Sequence, residues 1–108
     1  IFSSNVNYIK IEGFDFRYIN DTAIVINASN HDITILNNTI HHIGQLITSI
    51  KGGQNGIYSG SNTYNITIDS NYIYEIGRDG TSTNHDHGVY ISGNPAARDV
   101  LIINNILY

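Results

Sequence analysis

The chain has no cysteine, tryptophan or methionine, and it has a single proline. Without cysteine there can be no disulfide, no thiolate zinc site and no cysteine nucleophile. Charged residues are only 13% of the 108, the formal net charge is −4, and the few lysines and arginines are scattered. Binding to a nucleic-acid backbone needs clustered positive charge, so we expect no nucleic-acid partner. No apolar run approaches the length of a membrane span.

Isoleucine is the commonest of the hydrophobic residues, which make up 41% of the chain. β-Branched and aromatic residues favour strands, whereas alanine, leucine, glutamate, lysine and glutamine, which favour helices, are scarce. Asparagine and glycine are frequent, and both favour turns. The composition therefore predicts an all-β fold with many turns, and the length fits one domain.

A short pattern recurs along the chain. Segments 33–40, 66–73 and 100–107 each place Ile or Val, then Ile, then Asn and a final Ile or Leu at the same spacing. Segment 9–16 matches them with Phe14 in place of the asparagine. A repeat of this kind predicts that the chain is built from stacked copies of one structural unit.

Two further units recur between these copies. One lies at 23–26, 56–59 and 88–91, and the other at 16–19, 40–44 and 73–77. Apolar and polar residues alternate within them, which is the pattern of a strand and not of a helix. A repeat of about 24 to 34 residues with three strands each predicts three parallel sheets around an isoleucine interior. A β-sandwich, in which the asparagines only mark turns, is the alternative.

One asparagine occupies the same position in three copies of the first unit: Asn38, Asn71 and Asn105. If the copies stack, these residues lie one above another. Each side-chain amide can then hydrogen-bond to the asparagine of the next coil. We therefore expect an asparagine ladder along the stack.

The combined pattern, ITIxxNxI followed by IG and GIYIxG, resembles the repeat of the pectate-lyase-like parallel β-helix family over nearly the whole chain. The resemblance implies a right-handed parallel β-helix solenoid of about three coils. It also implies that the asparagine ladder lies in the turn between the second and third sheets. The strands implied are 24–26, 57–59 and 89–91 in the first sheet, 33–36 and 66–69 in the second, and 40–43 and 73–76 in the third.

Both ends of the sequence fall inside the repeat, since the chain starts at Ile1 and stops at Tyr108 without a polar capping segment. Solenoids need caps that protect open strand edges and apolar ends. We therefore expect residues 1–108 to form a single partial β-helix domain that is a fragment of a longer chain. Its ends would be covered by further coils or by another chain.

Two long loops, 44–55 and 77–87, join the third sheet to the first. The family resemblance implies a cleft over the first sheet, walled by these loops, and loops on a rigid scaffold commonly carry function. Tyr58 and Tyr90 hold equal positions on neighbouring strands and are expected to point outward with Val25. Such an aromatic pair offers a platform for sugar rings. The alternative is an aromatic ladder that only shields the sheet.

The densest polar cluster is His85, Asp86 and His87, with Arg78 and Asp79 in the same loop. In one hypothesis His85 or His87 is a catalytic base, because imidazole accepts a proton near neutral pH. Asp86 or Asp79 would orient this base, and Arg78 would face a substrate carboxylate. In the alternative, the loop is only polar, and its His and Asp side chains cap the start of a strand.

Lys51, in the first long loop, is the lysine best placed to reach the expected cleft. Lysine can act as the base that removes the proton beside a uronate carboxylate. The carboxylates Asp79, Asp86 and Glu75 are candidate ligands for calcium but do not make an evident cage. Calcium is therefore left open, and no other cofactor is expected.

Two columns of polar and aromatic side chains are expected at neighbouring positions of the third sheet. They are Arg17, His41 and Tyr74 in one column and Tyr18, His42 and Glu75 in the other. We expect His42 and Glu75 to form a solvated surface pair, which contributes little to stability.

The leading functional hypothesis is a secreted or cell-surface β-helix that acts on an extracellular polysaccharide in a lyase-like or glycoside-hydrolase-like reaction. It combines what the resemblance implies with Tyr58, Tyr90 and the histidine loop. Because an acidic chain repels polyanions, a uronate substrate would require Arg78, Lys51 or calcium. The alternative is a non-catalytic surface, adhesin or phage-spike module that binds glycan or is purely structural.

Overall fold

A computed structural model describes residues 6–46, 53–78 and 85–108, and this part of the chain is all-β. It contains strands and no helix, as the composition predicts. The strands are β1 (Asn7–Glu12), β2 (Asp15–Ile19), β3 (Ile24–Ile26), β4 (His31–Leu36), β5 (Thr39–Ile43), β6 (Asn55–Ser59), β7 (Tyr64–Asp69), β8 (Tyr72–Ile76), β9 (His87–Ile91), β10 (Arg98–Ile103) and β11 (Ile106–Leu107).

The strands form three sheets, and each sheet takes every third strand of the chain. The first sheet is β3-β6-β9, the second is β1-β4-β7-β10 and the third is β2-β5-β8-β11. All the pairings are parallel. The parallel sheets and the assignment of strands to them confirm what the repeat predicts. The arrangement is compatible with a parallel β-helix.

Isoleucine fills the space between the three sheets. Ile33 pairs in register with Ile66, and Ile40 with Ile73, so equal side chains stack from one coil to the next. The buried apolar core of the described residues consists of isoleucine alone. Each fully buried isoleucine contributes roughly 1.5–3 kcal/mol relative to an exposed one. The core is therefore a set of isoleucine columns that hold neighbouring coils in register.

The expected asparagine ladder is present in the turn between the second and third sheets. The backbone and side-chain amides of Asn38 donate to Oδ1 of Asn71 at 3.0 and 3.1 Å. The corresponding groups of Asn71 donate to Oδ1 of Asn105 at 2.8 and 2.9 Å. Asn38 and Asn71 are almost completely buried. The ladder therefore satisfies polar groups that would otherwise be costly at this depth.

Three strands of the third sheet, β2, β5 and β8, each carry one residue with a left-handed backbone: Tyr18, His42 and Glu75 have φ values of 55°, 53° and 51°. Such values are uncommon outside glycine. On β5 the two fully buried residues Ile40 and Ile43 are separated by two others, which plain alternation does not allow. The left-handed residue takes up the extra position, so two consecutive side chains, at 41 and 42, lie on the outer side of the sheet.

Candidate functional site

Tyr58 and Tyr90 lie side by side on the outer face of the first sheet. They are register partners on β6 and β9, and Val25 on β3 is in register with Tyr58. The two ring centroids are 5.7 Å apart with a tilt of 44°. Tyr90 is 43% exposed. The expected proximity of the two tyrosines is confirmed; their binding role stays a prediction.

His87 extends this aromatic pair. Its ring lies 5.1 Å from that of Tyr90, at an angle of 26°. His87 also pairs in register with Asn55, at the start of β6. Three rings, those of Tyr58, Tyr90 and His87, thus form one row, which we call the first-sheet platform.

Arg78 and Asp86 form a buried ion pair beneath this region. Nη2 and Nε of Arg78 donate to the two carboxylate oxygens of Asp86 at 2.8 and 3.0 Å. The side chains are 0% and 10% exposed. The backbone amide of Gln54 donates to the same carboxylate at 2.8 Å and that of Arg78 at 3.0 Å. The pair therefore joins the end of one long loop to the end of the other.

The pKa of Asp86 reflects both burial and these partners. Burial raises the pKa of its carboxyl, but the hydrogen bonds from Arg78 and from the backbone amide of Gln54 outweigh it and hold the pKa below the usual value. In the alternative hypothesis for this loop, an Asp side chain caps the start of a strand through hydrogen bonds, and these contacts are of that kind. The roles of Asp86 as orienter and of Arg78 as substrate contact stay predictions.

A glycine precedes Arg78 for a steric reason. Gly77 has a φ of +110°, and a Cβ at this position would lie 2.7 Å from Cβ of Asp86. Any other residue would strain the backbone and press against the carboxylate that Arg78 holds. The Ile-Gly step that recurs in the sequence therefore serves, in this coil, to bring the ion pair together.

The remaining predicted catalytic residues are placed differently. His85 is exposed and precedes β9. Lys51 and Asp79 lie outside the described residues, so their roles stay predictions. No group of three or more His, Cys, Asp or Glu residues that could hold a metal ion is found within 6–46, 53–78 and 85–108.

Two buried amide oxygens near the platform were not predicted. Within the described structure, Oε1 of Gln54 and Oδ1 of Asn55 have no hydrogen-bond partner. Both residues are only 5% exposed. An unsatisfied buried acceptor costs about 1–3 kcal/mol, so both oxygens favour a hydrogen-bond donor. No pattern in the sequence points to them, because many asparagines in this chain serve turns.

A second cluster lies on the outer face of the third sheet. Nε2 of His41 is 2.9 Å from Oδ1 of Asp15, and Nε2 of His42 is 2.9 Å from Oε2 of Glu75. The Nδ1 atoms of the two histidines are 2.6 Å apart. Two hydrogen bonds and one ion-pair contact therefore join the four residues, which we call the histidine chain. Of its contacts, only the proximity of His42 and Glu75 was predicted.

Aromatic rings cover the histidine chain. The ring of Tyr74 stacks on His41 at 4.8 Å and 6°, as their predicted common column requires. The ring of Tyr18 lies 5.0 Å from that of His42. Burial, the main cause, raises the pKa of Tyr74, and nearby Tyr72 and Glu75 add to the rise. The hydroxyl of Tyr74 therefore stays protonated well into the alkaline range.

A pocket of about 170 Å³ opens beside this cluster. Its lining residues are Tyr18, Asn20, His42, Gln45 and Leu46. They belong to β2, to β5 and to the segments that follow these strands. The pocket is thus separate from the first-sheet platform.

Comparisons with protein-family models, with curated proteins and with solved structures found no match. Among the described residues there is also no helix with the length and hydrophobicity needed to cross a membrane.

Proposed function

We propose that the chain is part of a right-handed parallel β-helix, similar to pectate-lyase-like proteins, which binds an extracellular polysaccharide along the outer face of its first sheet. The observation that carries the proposal is the row of three aromatic rings, Tyr58, Tyr90 and His87. The protein that contains it is secreted or displayed at a cell surface, and the absence of cysteine is compatible with this.

The parallel pairing supports the proposed right-handedness. A connection between parallel strands of one sheet is right-handed in about 98% of cases. Here each such connection passes through one strand of each of the other two sheets. The recurrence of the same order in every coil supports a solenoid with one hand throughout.

The chemistry of the platform suits a sugar polymer. Tyrosine offers an apolar face to the C–H groups of a sugar ring and a hydroxyl to its polar groups. Two tyrosines in register on neighbouring strands provide such faces along the stacking direction.

An uncharged polysaccharide fits better than a polyuronate. The net charge of the chain is −4, and Arg78, which would face a uronate, is engaged by Asp86. A polyanion would therefore meet a repulsive field with this guanidinium already paired. Binding of a uronate polymer would then depend on Lys51 or on calcium.

A lyase-like or hydrolase-like reaction is the second candidate function, and the place of His87 favours it. Its imidazole stacks against Tyr90, so a base would lie directly beside a sugar held on the platform. Under this candidate the polysaccharide is a substrate, whereas under the first it is only a ligand.

The binding test replaces Tyr90 with alanine. Affinity electrophoresis in gels that contain neutral or uronate polysaccharides measures retention of the chain. We expect Tyr90→Ala to weaken binding of a neutral polymer about tenfold, since stacking on the ring is lost. The matched control is Tyr72→Ala, because Tyr72 is equally exposed, at 43%, but lies on the third sheet. Equal retention of the two variants would contradict the platform.

The reaction test follows unsaturated products and new reducing ends in the same polysaccharides. If the site is catalytic, the unchanged protein forms one of these products and His87→Ala abolishes it, with unfolding free energy nearly unchanged. Retention without any product would eliminate the catalytic candidate and leave the binding module.

A further inference from the structure

We propose that the pocket beside Tyr18 and His42 is a second binding site, and that it takes a single uncharged sugar ring. The pocket lies on the outer side of the third sheet, so it does not depend on the first-sheet platform. Its ligand is inferred from the chemistry of its own lining.

Both ring nitrogens of His42 contact other side chains. Nδ1 contacts His41 at 2.6 Å and Nε2 contacts Glu75 at 2.9 Å. Both nitrogens therefore face protein groups, which leaves the flat surface of the ring for a ligand in the pocket.

The charge of the lining residues bears on which ligands the pocket can take. Tyr18, Asn20, Gln45 and Leu46 are uncharged, and His42, the remaining lining residue, lies 2.9 Å from the carboxylate of Glu75. No lining side chain of the pocket in the described residues offers an unpaired charge to a ligand. An ionic ligand would lose its hydration there without a counter-charge. The pocket therefore selects against charged ligands.

The walls of the pocket combine apolar surface with amide groups. Tyr18 is 70% exposed and Leu46 is 83% exposed, so both present apolar surface that the fold does not cover. The amides of Asn20 and Gln45 supply donors and acceptors at the same pocket. An aromatic ring with a few well-placed amides suits a molecule that has C–H faces and hydroxyl edges.

The pocket is small for a ligand site. The volume of about 170 Å³ is below the roughly 300–1,000 Å³ that is usual for sites of drug-sized ligands. It equals the liquid volume of about six water molecules. A single ring fits this space, whereas an oligosaccharide would have to extend beyond it.

The test is an NMR titration of the ¹⁵N-labelled chain with D-glucose, D-galactose and D-mannose, and with D-galacturonate as the charged comparison. We expect at least one neutral sugar to shift the amide signals of Tyr18, Asn20 and Gln45, with a dissociation constant on the order of 1 mM or weaker. Galacturonate should bind at least about tenfold more weakly than the best neutral sugar.

Tyr18→Ala should weaken this binding about tenfold, and Tyr8→Ala is the matched control. Tyr8 has a similar exposure, 79%, and a similar left-handed φ of 60°, and its ring also packs edge-on against a histidine. If Tyr18→Ala disturbs the fold, Gln45→Ala replaces it, since Gln45 lies outside the strands. Equal losses in the pocket variant and in the control would overturn the inference.

The remaining outcomes separate this site from the platform. Sugar-induced shifts at Tyr90 and His87 alone would overturn the pocket and leave the proposed function intact. Shifts at the pocket that persist in Tyr90→Ala would support the pocket even if polysaccharide binding at the platform fails. No shift at the pocket with any neutral sugar, or equal affinity for galacturonate, would overturn the inference.

Discussion

Two charged clusters among the described residues differ in how far they are buried. Arg78 and Asp86 are buried, bidentate and joined to the backbone of the neighbouring loop. In the histidine chain, the end carboxylates of Asp15 and Glu75 are about half exposed, at 49% and 50%. We therefore expect the buried pair to contribute more to stability than the histidine chain, whose carboxylates stay accessible at the surface.

The largest expected effect tests the buried cluster. Arg78→Met leaves the carboxylate of Asp86 without its counter-charge in a desolvated place, and we expect a loss of about 3–5 kcal/mol in unfolding free energy. Urea denaturation measures it. Arg17→Met is the matched control, because Arg17 is 60% exposed and 3.6 Å from Asp15, and it should lose less than about 1 kcal/mol. Similar losses for both arginines would remove the distinction.

A smaller loss of folding stability is expected at acid pH. Because the folded-state pKa of Asp86 is lowered, its contribution to stability is present above the unfolded pKa and is lost as pH falls through the folded value. Urea midpoints between neutral pH and pH 2 should therefore fall less steeply in Asp86→Asn than in the unchanged chain.

The variant should retain some acid sensitivity. Hydrogen bonds from His31 and Asn65 lower the pKa of Asp32 as well, so this carboxyl also favours the folded state above its unfolded pKa. Identical acid profiles for Asp86→Asn and the unchanged chain would contradict the assignment to Asp86.

The smallest effect is expected in the exposed cluster. His42→Gln removes the imidazole that joins His41 to Glu75, and we expect a change below about 1 kcal/mol in unfolding free energy. A double-mutant cycle with Glu75→Gln should give a coupling of similar size. A loss as large as that of Arg78→Met would show that the histidine chain is structural.

The sequence predicted the columns better than the loops. The asparagine ladder and the Tyr58–Tyr90 pair depend on a period of two and on a repeat, and both can be read from spacing. The Arg78–Asp86 pair depends on the path of a loop, which no periodic pattern encodes. The alternative hypothesis, in which His and Asp side chains of this loop cap the start of a strand, came nearest to the observed ion pair.

The outer face of the third sheet was only partly predictable, for a different reason. Strict alternation would place His41 and His42 on opposite sides of a strand. The left-handed backbone of His42 puts them side by side, and their direct contact follows from that one dihedral. Such values are uncommon for histidine, and sequence reasoning had no cause to expect one.

The repeat units of this chain differ in length mainly in one region. Equivalent residues of the asparagine turn are 24 positions apart between the first two units, and 33 and 34 apart between later ones. The link from β9 to β10 is slightly longer than its equivalents, but most of the added residues lie between a third-sheet strand and the next first-sheet strand. This junction can therefore change in length by whole segments while the columns behind it keep their register. In protein engineering, it is the natural place to graft new recognition loops, and those loops would project next to the platform and the pocket.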